Sequence, residues 1–474
     1  MKKWFSKFPR WLIALLAALF LVAVILFARL EAQPKTDLQV SDLTPISLDG
    51  VQRILVLAPH TDDETMSSGG LILAALQAGI QVKVVVATNG DGYMAATVEK
   101  FRKIRPTTQD YIHMGETRQQ ESRAALAELG IPPENIFFLS YPDRGTRALW
   151  NTNWSAANPY KSPYSGETSS PYPLTYNPDS VYAGEDYLAD LTSILKDYRP
   201  DLVIYPHPDD VHPDHWGLNV FTRLALTELS HRDPSYQPKQ LTYLVHRPDF
   251  PVVRGLFPAT SLVPPASLYA IYPDWLRWDL TPYQIIIKGE AIRAYKTQLP
   301  LLGRLMLSFV RANELFAPVT STALPTVSKG NPLDPTTWQD ASGQPVAPVQ
   351  RDPTGDVLSH KAMPGTDLTE TYAARTPSGE LWMCARLHAK AMMEIRYSLR
   401  LKSLTENGIR AFEASNRAKS GQPLVKRSGN YFCAQTRLAD LGNPWAVFLG
   451  ATVESPDPNI PFDQTAWQMI YIQP

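Results

Sequence analysis

The sequence predicts an α/β fold, a Rossmann-like parallel sheet with helices on both faces, followed by a smaller β-sandwich-like C-terminal domain. Three observations predict it. Short continuous apolar runs alternate with amphipathic segments over residues 51–316, as buried parallel strands alternate with crossover helices. Beyond them, 317–368 is rich in Pro, Ser, Thr and Gly, a linker by composition. Residues 369–474 then carry short β-type runs (381–387, 393–401, 430–437, 445–453 and 467–472) separated by turn residues, the pattern of a small sandwich. Finally, 474 residues exceed what one hydrophobic core usually serves.

The first thirty residues differ in kind. Lys2, Lys3, Lys7 and Arg10 precede an unbroken apolar run over 11–28, long enough to span a bilayer. The basic flank comes first, so residues 1–30 are expected to anchor the chain with its body outside the cytoplasm. A cleaved signal peptide is the alternative. Residues 31–50 then form a polar tether. A net charge of −1 gives no electrostatic case for nucleic acid.

In chain order, 54–57 (ILVL) is a strand, and 71–79 (LILAALQAG) a helix stopped at Gly79. Residues 82–88 form a second strand and 95–115 read as irregular. Residues 116–129 form an amphipathic helix stopped by Gly130. Residues 136–139 and 202–205 are further strands, with a helix over 187–198 between them. A helix over 216–230 and a strand over 241–245 follow. Residues 250–282 read as loop, 283–298 as a strand-to-helix passage and 301–315 as a helix. Between 146 and 185, Trp150, Trp154, Tyr160, Tyr164, Tyr172, Tyr176 and Tyr182 are interleaved with Asn, Ser, Pro and Gly. Such rings can stack on sugars, but an insertion pinned by its own aromatics is the favoured account. The two cysteines, Cys384 and Cys433, suit one disulfide in an exported protein; two buried thiols are the other option.

Two strand-tip loops carry the chemistry. Open α/β sheets bind ligands beyond the carboxyl ends of their strands. After the first strand stands Pro59-His60-Thr61-Asp62-Asp63-Glu64. One imidazole and adjacent carboxylates suit a metal and a general base, although a helix-capping turn explains this stretch alone equally well. After the fourth strand, residues 206–219 (PHPDDVHPDHWGLN) hold His207, His212 and His215 with Asp209, Asp210 and Asp214. That density is improbable as turn chemistry. No Ser or Cys nucleophile motif with a matching base accompanies it.

Together, Pro59-His60-Thr61-Asp62-Asp63-Glu64 and His212-Pro213-Asp214-His215 resemble the zinc-dependent N-acetylglucosaminyl de-N-acetylases, the PIG-L/LmbE-like family. Further matches occur in order: Ala87-Thr88-Asn89-Gly90-Asp91-Gly92, Arg118 with Glu121, Asp143, and Tyr295-Lys296-Thr297-Gln298. The likeness covers roughly 51–315. It implies His60, Asp63 and His215 as Zn2+ ligands and Asp62 as general base. It also implies His212 as a protonated donor beside the oxyanion, Asp214 as the carboxylate orienting an imidazole, and Arg118 and Asp143 as holders of sugar hydroxyls. Two positions depart from the family: Thr61 replaces a usual Pro, and Asp210 stands where some members have a Tyr. His207 and Asp209 are left as loop residues.

The expected function is zinc-dependent hydrolysis of the acetamide of an N-acetylated amino sugar or glycoconjugate outside the cytoplasm. The rivals are a zinc amidohydrolase for another acyl-amino conjugate and a non-catalytic carbohydrate-binding surface protein. Retention of Asp62 argues against the last, since binding alone needs no general base.

Overall fold

The computed structural model describes residues 38–357, 359–418, 423–456 and 461–472. The expected membrane span 11–28 lies outside them. Among the described residues no helix is long and apolar enough to cross a membrane.

The first part of the chain runs β1 (Thr44–Pro45), β2 (Arg53–Ala58), α1 (Asp63–Gln77), β3 (Gln81–Thr88), α2 (Met94–Phe101), α3 (Thr108–Glu128) and β4 (Ile136–Tyr141). It continues through α4 (Thr146–Asn151), α5 (Gly184–Tyr198), β5 (Leu202–Pro206), α6 (Pro213–Arg232), β6 (Lys239–Tyr243), α7 (Ala266–Tyr269), β7 (Leu276–Asp279), α8 (Pro282–Arg293), α9 (Leu299–Met306) and β8 (Asn313–Pro318). The eight strands form one sheet in the order β1-β7-β8-β6-β5-β2-β3-β4. Strands β6, β5, β2, β3 and β4 pair in parallel, and β8 joins antiparallel. The expected α/β sheet is therefore present, with an antiparallel edge added.

Both faces of this sheet are covered. Ile54 and Val56 of β2 pack with Val82, Val84 and Val86 of β3 in one core, while Leu55, Leu57 and Val85 belong to another on the opposite face. All eight are fully buried, which explains apolar runs without alternation. Each contributes about 1.5–3 kcal/mol on burial.

Several boundaries differ from expectation. Residues 95–115 are not irregular. Thr107 and Asp110 form a capping box that starts α3 eight residues before the apolar periodicity begins. The run Ile285-Ile286-Ile287 is helical rather than a strand, because Thr281 caps α8 and Pro282 sets its first turn. The helix expected over 301–315 ends at Met306, and β8 takes the end of that stretch. Thr44–Pro45, inside the expected tether, pairs in parallel with β7.

The rest of the chain comprises β9 (Thr322–Ala323), β10 (Lys329–Asn331), β11 (Asp334–Gln339), β12 (Gln350–Arg351), β13 (Leu368–Arg375), β14 (Glu380–Leu387), β15 (Arg396–Thr405) and β16 (Gly408–Ser415). Then come β17 (Lys426–Ser428), β18 (Tyr431–Arg437), β19 (Ala446–Glu454), β20 (Pro461–Gln464) and β21 (Gln468–Tyr471). The stretch expected as a linker thus holds four short strands. One sheet has the order β12-β13-β14-β18-β17 and another β16-β15-β19-β21-β9, with β20 beside β19. Residues of both sheets, among them Met383, Leu399 and Leu449, enclose a common core. Cys384 and Cys433 are register partners across β14 and β18 and are disulfide-bonded, with Cα atoms 4.1 Å apart.

This antiparallel part packs on the first. Phe448, Trp467 and Met469 enter the core formed by α5 and α6, and buried Arg223 donates to the carbonyls of Trp467 (2.7 Å) and Thr320 (3.0 Å). Trp150 lies against Phe448 and Trp467, and the Tyr172 hydroxyl donates to Asp91 at 2.7 Å. The aromatic insertion is pinned from both sides.

Candidate metal and catalytic site

The tips of β2, β5 and β6 meet beneath one pocket. Helix α1 starts at Asp63, directly after the β2 turn, so His60, Asp62 and Asp63 sit where the chain reverses. Helix α6 starts at Pro213 with His212 as its cap: the Asp214 amide donates to His212 Nδ1 at 3.3 Å. That bond makes Nδ1 an acceptor and leaves Nε2 of His212 to face the pocket as the donor. Burial, with His60 and His246 nearby, holds its pKa well below the ordinary range.

Asp63 Oδ2 lies 3.0 Å from His60 Nδ1 and 3.0 Å from His215 Nε2. His246 Nε2 lies 3.7 Å from Asp63 Oδ1. Ligand-type atoms of His60, Asp63, His215 and His246 all fall within 4.8 Å of one another. The predicted trio is therefore assembled, with His246 as a fourth member. His246 was missed as a lone histidine, although it follows a predicted strand and the strand-tip rule applies to it as well.

The side chains fit a cation. Asp63 Oδ1 is buried without a hydrogen-bond partner, and both His215 ring nitrogens face carboxylate oxygens in directions that make no hydrogen bond. Burial pulls the His215 imidazole down, yet Asp210 and Asp63 push it up to about 9. The carboxylates here call for positive charge, and nitrogen and oxygen donors in this number suit a transition metal.

Around this centre, Asp210 Oδ2 lies 3.0 Å from His215 Nδ1 and accepts the amides of Val245 (3.0 Å) and His246 (2.9 Å). Asp210 thus stands against an imidazole and ties two strand-tip loops together. Asp214 Oδ2 lies 3.3 Å from His60 Nε2, and the same carboxylate accepts the amide of Arg144 (2.6 Å) and the hydroxyl of Thr146 (2.7 Å). The imidazole it approaches most closely is His60. Asp143 accepts the Gly92 amide at 2.8 Å and lies 3.5 Å from His60 Nε2.

Asp62 stands beside the assembled donors with Arg118 Nη2 3.2 Å away. Burial pushes its carboxyl up to about 7, against the pull of Arg118. Glu64 points elsewhere: the Tyr295 hydroxyl donates to it at 2.6 Å. Glu121 accepts the amide (2.9 Å) and hydroxyl (2.6 Å) of Thr297, so two later motifs brace each other behind the pocket. His207 is apart from the site, stacked on Trp275 at 5.2 Å. The pocket encloses about 230 Å³. His60, Asp62, Arg118, Asp143, His212 and His246 line its polar floor, and Met66, Leu302, Leu305 and Met306 its apolar wall.

A parallel sheet with imidazoles and carboxylates gathered at its strand tips defines an α/β domain with a candidate His/Asp metal site. Residues 55–226 match the family model described as PIG-L, GlcNAc-PI de-N-acetylase. A 1D-myo-inositol 2-acetamido-2-deoxy-alpha-D-glucopyranoside deacetylase of Mycobacterium sp. (strain KMS) is 28% identical over 197 residues, 41% of this chain and 56% of that one. The enzyme of the same name from Corynebacterium urealyticum is 26% identical, covering 41% and 53%. The chain thus spans about half the length of these relatives. Among solved structures, the N,N'-diacetylchitobiose deacetylase of Pyrococcus horikoshii aligns at 18% identity over 57% of this chain and 85% of that one, with a TM-score of 0.36. A 4-carboxy-2-hydroxymuconate hydratase of Pseudomonas putida aligns at 14% identity over 59% and 99%, with a TM-score of 0.35.

Proposed function

We propose that this protein is a zinc-dependent hydrolase that removes the acetyl group from an N-acetylated amino sugar or glycoconjugate. One observation carries the proposal: ligand-type atoms of His60, Asp63 and His215 converge, Asp63 Oδ1 is buried there without a partner, and Asp62 stands beside them. The deacetylase names of its sequence relatives support the substrate class.

Zinc held by His60, Asp63 and His215 would supply Lewis acidity toward the acetamide carbonyl and acidify a water molecule. Asp62 is the general base: it takes the proton of the attacking water and returns it to the leaving amine. Arg118 holds that carboxylate in position. His212, with its proton on Nε2, donates to the oxygen that gains charge as the carbonyl becomes tetrahedral. Asp214 orients His60 and Asp210 orients His215. Asp143 and Arg118 bind sugar hydroxyls at the pocket floor.

The second reading, hydrolysis of another acyl-amino conjugate, is favoured by the apolar wall of Met66, Leu302, Leu305 and Met306, which suits an acyl chain or apolar aglycone. Incubating the full chain with N-acetylated and longer N-acylated amino sugars, with and without chelator, tests both. Zinc-restorable acetate release supports the proposal. Release from long-chain substrates alone favours the second reading, and no release from any of them contradicts both. Residues 11–28 are proposed to anchor this body outside the cytoplasm, on the sequence alone; a fused reporter active only after export tests the topology.

A further inference from the structure

We infer that Asp352, Asp356 and Asp463 form a calcium site in the C-terminal part, separate from the candidate active site. Asp352 follows β12, Asp356 lies in the loop beyond it, and Asp463 lies on β20. Carboxylate oxygens of the three lie within 4.8 Å of one another. Asp352 and Asp463 are buried, at 6% and 8% exposure, whereas Asp356 is exposed.

The second observation concerns hydrogen bonding. Asp463 is held by the amides of Leu368 (2.6 Å) and Gln464 (2.7 Å). Asp352 Oδ2 is buried and has no hydrogen-bond partner, on a carboxylate that offers an oxygen to the cluster. Among the described residues no Lys, Arg or His forms an ion pair with any of the three. The nearby Asp367 is already paired with His360 Nδ1 at 2.6 Å. Arg247 pairs with Asp249 at 2.9 Å. Burial, and then Asp463, Asp356, Asp209 and Asp367, raise the Asp352 carboxyl well above its ordinary range.

Carboxylates buried without a counter-charge are costly, and a cation among them removes the cost. The backbone is shaped for convergence. Gly355, at φ +83°, turns the loop so that Asp352 and Asp356 approach each other, and its amide donates to Asp367 at 3.0 Å. A donor set of oxygens alone excludes the preferences of zinc or copper. Carboxylates of which two are borne on a loop, with an open side at Asp356 for water, suit calcium better than the strict octahedron of magnesium. A bound ion would fasten β12 to β20. Asp209, in the loop that leads through His212 into α6, adds its charge to the same field.

The test uses the full chain with zinc kept saturating, stripped of calcium and titrated with calcium chloride near neutral pH. Expected are one calcium per chain and a melting temperature raised by about 5 °C when calcium exceeds its dissociation constant roughly 100-fold. Asp356→Asn, at an exposed position, should fold normally and weaken binding at least about 10-fold. Asp352→Asn should abolish binding and, without calcium, melt no lower than wild type, since it removes a buried unpaired charge. His215→Ala should keep calcium binding, which separates this site from the candidate active site. No stoichiometric binding at about 5 mM calcium, above the range of extracellular modules, overturns the inference. So does binding that both Asp352→Asn and Asp356→Asn leave intact.

Discussion

Arg118 joins two loops at once: Nη2 donates to Asp62 Oδ2 at 3.2 Å and Nη1 to the Gly90 carbonyl at 2.7 Å. A Cβ on Gly90 would lie 1.7 Å from Nη1, and Gly90 has φ +61°, so a larger residue there must expel the guanidinium. Gly90→Ala should therefore lower kcat about 100-fold, as misplacement of a catalytic group does. Zinc content should be unchanged. Steady-state kinetics with metal analysis checks this.

Lys288 Nζ and Glu314 Oε1 form a fully buried pair at 2.7 Å, and the same carboxylate accepts the amides of Gly70 (2.6 Å) and Leu71 (2.9 Å) inside α1. Glu314→Ala leaves a buried ammonium and two unpaired amides. It should cost about 3–5 kcal/mol in urea unfolding. The double change to Met at both positions should cost less than Glu314→Ala alone.

Lys402 is buried over the rings of Trp154 (3.4 Å) and Trp150 (4.6 Å), and burial pulls its pKa down to about 7. Between about 7 and its ordinary value near 10.5, the unfolded chain binds a proton that the folded chain lacks. Stability then rises with pH through that window, by up to about 1.4 kcal/mol per unit. The rise in melting temperature from pH 7 to 10 should be smaller in Lys402→Met than in wild type.

The fold was legible where one physical signal dominated. Residues 54–57, 84–87 and 202–205 are apolar throughout because both faces are buried, and the strands stand there. Elsewhere local chemistry overrode the pattern. The Ile285–Ile287 run has β-branched side chains but follows a Thr-Pro helix start. The polar first half of α3 hides its helicity until the Thr107–Asp110 cap is seen. Helix α1 begins at Asp63 because the residues that converge on the metal site also occupy its first turn, which in sequence reads as loop. At the site, His60, Asp63 and His215 were legible through dense motifs. His246 was not, since it stands alone and only its place after the 241–245 strand marks it, and the part taken by Asp210 emerges only when β6 brings Val245 and His246 beside it.

The Cys384–Cys433 bond closes a separation of 49 residues. On the chain-entropy model it stabilises by roughly 4 kcal/mol. Denatured, unreduced protein should show no titratable thiol, and Cys384→Ser with Cys433→Ser should lower stability by an amount of that order. Two free thiols would contradict the bond.

The central claim, that Asp62 is the base beside a metal held by His60, Asp63 and His215, is tested most directly by kcat and bound zinc measured together on Asp62→Asn. The account predicts full zinc and a turnover reduced by about 10²–10⁴-fold. An Asp62→Asn enzyme that carries its zinc and turns over at the wild-type rate would contradict it.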